Sequence, residues 1–490
     1  MIRNIFQWVI LTVLSFSVGA AGVSSYLLYT QPTNGRLAFT NELAIPPILE
    51  PAVDDNGRKT FTLTAEAGTQ QFFPGLNTPT WGFNGAYLGP TIRVQRGDEV
   101  IFNVTNQLNR PTTVHWHGLH VPAVMDGTPH QPIMAGGTWQ SSYTIKNEAA
   151  TMWYHPHPHM ETGRQVYQGL AGMYIIDDDN PAAQNLPHNY GVDDIPIILQ
   201  DRLFDQAGQM VYEPNDSVMY GDTLLVNGTY NPFVNVEAKL IRLRLLNGSN
   251  GRIYNLGLSN NRPFVQIASD GGLLERPLNM RRLLLAPGER AEIVIDLSDG
   301  RDVLLQSFPP DDLPTLLAML YYGAGSGRFD VLRLNIQPAV TPSSPLPQQL
   351  NTIDRFSRTE IDHVRQFDLG AANPLTDLNI NGRLMNMMQI NEVVHINDVE
   401  RWQIRNLTGR PHPFHIHDTQ FLVLDRDGRL PPPNERGWKD TVLIHPGETV
   451  NLVMQFTEYA DPTVPYMYHC HILEHEDAGM MGQFVVIDEP

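Results

Sequence analysis

A single cysteine, Cys470, in a chain of 490 residues rules out any internal disulfide. Stability must therefore come from packed cores rather than cross-links. Positive charge is scarce as well: 33 Lys and Arg stand against 52 Asp and Glu, a formal net charge of −19. That balance argues against electrostatic binding to nucleic acid or an anionic membrane surface, both of which need a basic face, and it suits solubility and cationic substrates. Histidine is missing from Asn189 to Asp362, although the chain has 17. A long central segment thus offers no imidazole to a metal, and whatever the histidines do is done by the two ends of the chain.

Charge of either sign is absent between Asn4 and Gly35. This apolar stretch follows Arg3 and resembles an export signal. VGAAG around Ala20 offers small residues to a peptidase, while the length also suits a membrane anchor. It contains no Arg-Arg pair, so the twin-arginine route is not indicated. Residues 1–36 are accordingly set aside as a signal or anchor with a short linker. The remainder is expected in the periplasm or otherwise exported, free or held at the outer face of the cytoplasmic membrane. In an oxidising compartment a lone exposed thiol is a liability, so the retention of Cys470 asks for a reason.

What the chain does have is turn residues, 39 Gly and 38 Pro, too many and over too great a length for one core. An internal phrase sets the domain count. It begins with Asn-Gly and ends in Asn three times: NGAYLGPTIRVQRGDEVIFNVTN (84–106), NGTYNPFVNVEAKLIRLRLLN (227–247) and NGRLMNMMQINEVVHINDVERWQIRN (381–406). Each phrase precedes a Gly turn and an alternating strand: GGTWQSSYTI at 136, PGERAEIVIDL at 287 and PGETVNLVMQF at 446. Three β-sandwiches of one kind are expected over 37–180, 190–338 and 352–490, with the breaks in Pro-rich polar segments at 177–191 and 337–350.

The closing Asn of each phrase serves as a ruler. Nine and eleven residues after Asn106 stand His115 and His117; at the same offsets after Asn406 stand His415 and His417; after Asn247 stand Leu256 and Leu258. A second match pairs YHPH, containing His155 and His157, with YHCH, containing His469 and His471. Alternate residues of a strand share a face, so each HxH pair presents two imidazoles to one space. Neutral imidazole is the commonest metal ligand, and eight are too many for one ion. The same alternation turns Cys470 away from His469 and His471. Its partners are then His412, three residues before His415, together with His475 and Met480 downstream, and two His, a thiolate and a weak Met form a blue-copper donor set. The first domain has Thr112 and Pro156 at the positions of His412 and Cys470, so only the third domain can build such a centre.

HWHG, HPFHIH and HCHILEHEDAGMM together resemble the multicopper oxidases, above all the bacterial laccase and cuprous oxidase branch. The resemblance implies an all-β chain of three cupredoxin-like Greek-key sandwiches holding four copper ions. It assigns His412, Cys470, His475 and Met480 to a type 1 copper, with Met481 as the alternative axial residue. His115 and His415 match type 2 ligands, and His117, His155, His157, His417, His469 and His471 match a type 3 pair. It further implies one-electron oxidation of a small reducing substrate at the edge of His475, with dioxygen as the acceptor. Asp126, eleven residues after His115, and Glu476, beside His475, resemble the family's proton-delivery residues. A three-domain chain can complete its cluster internally, which implies a monomer.

Laccase-like relatives oxidise phenols and aromatic amines, whereas the copper-tolerance branch oxidises Cu(I) with a Met-rich insertion. Met319 is the only Met between 301 and 360, and Thr408 and Arg410, rather than soft or acidic side chains, precede His412. Organic substrates are therefore expected, while Met385, Met387 and Met388 keep Cu(I) as an alternative. One branch with this fold has lost copper and serves as a cell-envelope scaffold; such a chain is expected to lack Cys470 and several of the histidines retained here. His120, His130, His159, His188, His363, His395 and His445 are read as structural or exposed, with His159 the nearest to a spare ligand.

Overall fold

The computed structural model describes residues 36–214, 218–310, 327–339, 344–357, 359–371 and 378–488. The apolar leader to Gly35 and Met319 lie outside the described residues. Among the described residues no helix is long and apolar enough to cross a membrane.

Six sheets form three face-to-face pairs, each pair enclosing its own apolar core. The three repeats share one topology. In the first, Ile92–Gln95, Gly172–Asp177, Ala150–His155 and His115–His117 lie side by side; in the third, Glu392–His395, Met481–Ile487, Asp461–Cys470 and His412–Ile416 lie in the same order, extended by Thr441–Ile444. The middle repeat has Pro232–Glu237, Phe329–Gln337, Val303–Ser307 and Tyr254–Leu258 in these places. In all three the leading pair is parallel and the rest antiparallel, which gives the crossed connections of a Greek key. The N-terminal Asn41–Glu42 pairs in parallel with Pro232–Phe233, so a strand preceding the first sandwich finishes the edge of the middle one.

The repeat phrase has a physical basis at both of its ends. Asn84, Asn227 and Asn381 all sit at positive φ, 54°, 50° and 53°, where Asn is among the few side chains tolerated. The closing asparagines tie the same knot three times. Asn106 Nδ2 donates to the carbonyls of Arg110 and Ile133, Asn247 Nδ2 to those of Arg252 and Leu285, and Asn406 Nδ2 to those of Arg410 and Ile444. Each Oδ1 accepts from the amide two residues on. A fully buried amide with all these bonds satisfied holds the start of the following strand at a constant position, which is why an offset counted from it locates equivalent side chains.

Candidate metal centre

Register places the histidines. His115 lies opposite His155 across one antiparallel ladder, and His415 opposite His469 across the other. Directly opposed residues share a face, so both pairs leave their sheets on the side where the outer sandwiches meet. There the rings stack across the domain boundary: His117 on His415 at 3.7 Å between centroids, and His115 on His417 at 3.9 Å. His157, His417 and His469 form one group, and the rings of His117, His155 and His471 lie 5.0 to 5.6 Å apart as a second. His159 is exposed and joins neither.

The outward nitrogens reveal the tautomers. His115 Nδ1 donates to the carbonyl of Asp126 (3.0 Å), His155 Nδ1 to that of Pro156 (2.8 Å), His415 Nδ1 to that of Asp440 (2.8 Å) and His469 Nδ1 to that of Cys470 (3.1 Å). His417 Nδ1 donates to Asp126 Oδ2 at 2.7 Å. Each Nε2 in these rings is therefore a bare lone pair in the neutral form. Yet His469 Nε2 stands 3.2 Å from His157 Nε2 and 3.3 Å from His417 Nε2. Between His417 and His469, whose Nδ1 atoms both donate elsewhere, acceptor thus faces acceptor, an arrangement that a cation between them makes favourable. The separation is that of nitrogens around one ion at about 2.0–2.1 Å. The Nε2 atoms of His115, His155, His415 and His471 are likewise buried without a hydrogen-bond partner.

Burial, reinforced by the neighbouring imidazoles, pushes His117, His155, His157, His415, His417 and His471 far below the usual histidine range and His469 to about 3. These rings are neutral at any working pH, as metal ligands must be.

Two buried acids bridge the rings. Asp126 Oδ1 and Oδ2 lie 3.1 Å from His115 Nδ1 and 2.7 Å from His417 Nδ1; Glu476 Oε1 and Oε2 lie 3.4 Å from His157 Nδ1 and 3.2 Å from His469 Nδ1. Each carboxyl thus lies beside one imidazole of the first domain and one of the third, and Asp126 Oδ2 accepts from His417 Nδ1. Burial, with Asp477 nearby, pushes Glu476 well above the usual carboxyl range.

Cys470 faces the other way, into the core of the third sandwich. Its Sγ lies 3.3 Å from His412 Nδ1 and 3.5 Å from His475 Nδ1, and these two nitrogens are 3.3 Å apart. Thr408 fixes His412: its hydroxyl donates to Asn406 Oδ1 and accepts from His412 Nε2 at 2.8 Å, leaving Nδ1 free toward the sulfur. The knot that positions the strand therefore also sets the tautomer of this ring. Burial pushes the thiol well up and His412 down to about 3, so a metal would displace the thiol proton and meet a ring with none to lose. Met481 pairs with His469 across the ladder and so points with it, away from Cys470. Met480, fully buried, belongs to the same core cluster as the thiol.

Sequence reading missed Thr441, Asp440 and Arg290. Asp440 Oδ1 lies 3.0 Å from His117 Nε2, and Arg290 grips both Asp440 oxygens at 2.7 and 2.6 Å. No spacing signal marks them, because their sequence distances from the rings they serve follow no period. The vacant counterpart of the thiolate site in the first domain is plugged instead: Thr112 Oγ1 donates to Gln165 Oε1 at 2.6 Å. In the middle domain Leu256 and Leu258 are fully buried in that domain's own core.

A buried His–Cys–His group lying one peptide away from eight convergent imidazoles is a donor set of the kind that could hold transition-metal ions. Sequence profiles described as "Multicopper oxidase" match residues 64–181 and 345–490. The chain is 38% identical over 451 residues to "Multicopper oxidase mco" of Staphylococcus aureus, covering 91% of this chain and 92% of that one. It is 35% identical over 455 residues to "Cell division protein FtsP" of Dickeya dadantii, covering 91% and 92%. Its fold is similar to the crystal structure of a laccase from Pediococcus acidilactici, with a TM-score of 0.82, 38% identity and coverage of 91% and 94%. The chain belongs to the multicopper oxidase family, and that membership implies copper as the metal.

Proposed function

We propose that the chain is a laccase-like oxidase that takes single electrons from a small organic donor, a phenol or aromatic amine, at the His412–Cys470–His475–Met480 site and delivers them to dioxygen at the eight-histidine site. His115 and His415 are the type 2 ligands, and the two groups of three described above are the type 3 ligands. The observation that carries this reading is the set of imidazole nitrogens from both outer domains buried together without hydrogen-bond partners, with His417 and His469 facing each other lone pair to lone pair. A copper-free scaffold would have no use for such a cost.

Four bound coppers would supply four one-electron stores and so allow dioxygen to go to two waters without release of a partly reduced species. The chain's own residues do the rest. Cys470 is bonded through the backbone to His469 and His471, and its carbonyl also accepts from His469 Nδ1, so two short routes join the sites. Asp126 Oδ2 accepts from His417 Nδ1 and keeps that ring aimed inward; Glu476, its proton held by burial and its carboxyl 3.2 Å from His469 Nδ1, is placed to supply one to the cluster. His475 Nε2, the nitrogen turned away from the thiol, is buried with no hydrogen-bond partner among the described residues, and the edge of this ring is where a donor would pass its electron.

Copper loading followed by metal analysis tests the assignment: about four ions per chain are expected, and none after loading would favour the scaffold. With a phenol as donor, four substrate molecules should be consumed per dioxygen, without hydrogen peroxide.

Cu(I) is the second reading, favoured by one observation. Met385 N donates to the carbonyl of Gly479, immediately before Met480, and this brings a loop with the fully solvent-facing Met388, 91% exposed, to the rim of the thiolate site. Comparing Cu(I) with a phenol at equal driving force decides between them. Met480→Leu should keep the blue colour and raise the potential of the thiolate site, since an axial donor to the oxidised ion is lost, while Met481→Leu should leave both unchanged; equal effects would sink the axial assignment.

A further inference from the structure

The middle sandwich contributes no ligand, yet it reaches the cluster. Arg290 opens the strand Arg290–Asp296 and is fully buried. Its guanidinium forms a fork on Asp440 of the third domain: Nη1 donates to Oδ1 at 2.7 Å and Nη2 to Oδ2 at 2.6 Å. Nε donates to the carbonyl of Thr151 in the first domain (3.0 Å), and Nη2 also to that of Asp270 (3.0 Å). Asp440 Oδ1 in turn accepts from Thr441 Oγ1 at 2.9 Å and from His117 Nε2 at 3.0 Å. One side chain of the middle domain is therefore tied to both outer domains at the point where their histidines meet.

His117 differs from the five cluster rings whose Nδ1 is hydrogen-bonded. In His115, His155, His415, His417 and His469 the outward nitrogen is Nδ1; in His117 it is Nε2, and Nδ1 is the buried atom without a partner. Asp440 selects this orientation because it is the acceptor facing that ring, and a carboxylate that accepts Nε2–H obliges Nδ1 to carry the lone pair. An isolated buried carboxylate would be free to rotate; the two-point Arg290 fork prevents that. Room for the pair is made by Gly118, the last residue of HWHG: at φ +89° a Cβ would lie 2.6 Å from Asp440 Oδ2 and 2.7 Å from Arg290 Nη2.

We propose that Arg290, through Asp440, is a positioning residue that fixes which nitrogen of His117 faces the cluster. The middle domain thereby sets the geometry of a site to which it gives no ligand. This rests on the copper assignment above.

The test is chelator competition on the copper-loaded protein, with the blue absorption of the Cys470 site as an internal control. Arg290→Gln should release cluster copper at roughly 10- to 100-fold lower chelator than the wild type, the usual range for loss of a ligand's supporting partner, while the blue band persists. Arg290→Lys, which keeps the charge and loses the fork, should show the same selective loss to a smaller degree, and it serves if the Gln variant does not fold. Either folded variant holding cluster copper like the wild type would overturn the proposal. So would parallel loss of the blue band and the cluster copper, since that is the mark of a merely structural arginine. A wild type that loads no copper would instead overturn the assignment on which it rests.

Discussion

Cys470→Ser is expected to abolish both the blue absorption and the oxidation of every donor, while about three coppers stay in the histidine cluster. Sulfur is the only soft ligand at the His412–His475 site that can lose a proton to the metal, and a serine hydroxyl there keeps its own. Without it the site has two neutral imidazoles and a thioether, and the route through the backbone to His469 and His471 has no donor at its head. The volume change is small, and exchanging a thiol for a hydroxyl in this core costs about 1–3 kcal/mol. The variant should therefore fold and melt only a few degrees lower. Absorption, oxygen uptake and copper content, measured on one preparation, give the answer; sustained donor oxidation would refute the electron route.

Removing copper should have the second large effect, this time on stability. Half of the cluster rings come from each outer sandwich, and they meet across the boundary, His117 stacked on His415 and His157 Nε2 3.2 Å from His469 Nε2. Ions that bind only when both sandwiches are docked stabilise by mass action, about 4 kcal/mol when free copper is 1,000 times the dissociation constant. For sandwiches of this size that is a fall of at least about 8 °C in the melting of the outer domains on chelation. Calorimetry before and after chelation, then after re-addition of copper, measures it. An unchanged profile would mean that the metal does not clamp the two domains together.

Much of this architecture was legible because it is local or periodic. The HxH pairs show themselves through the two-residue repeat of a strand, and their equivalence through a buried asparagine that ties the same knot at 106, 247 and 406. The fold class followed from three copies of one phrase. Illegible were the contacts that no period announces. Asp440 is 323 residues from the ring it orients, and Arg290 is 150 from Asp440. Asp126 and Glu476 stood out in sequence as proton carriers; their contacts with the outer nitrogens of four histidines depend on how two sandwiches dock, and nothing near either residue encodes that. The swap of Asn41–Glu42 onto the middle sheet is hidden for the same reason, since two residues carry too little pattern to name a partner 191 positions away.

Leu256 and Leu258 stand where the outer repeats have His115 and His117 or His415 and His417, but they fill their own sandwich's interior rather than a boundary. Two changes to histidine there would strand a pair of imidazoles in hydrocarbon, with no opposing pair to share an ion and several kcal/mol of lost solvation to bear. The central copy therefore cannot take up a metal through those two changes alone, and it serves instead as a keystone, its Arg290 wedged between the two halves that carry the histidines.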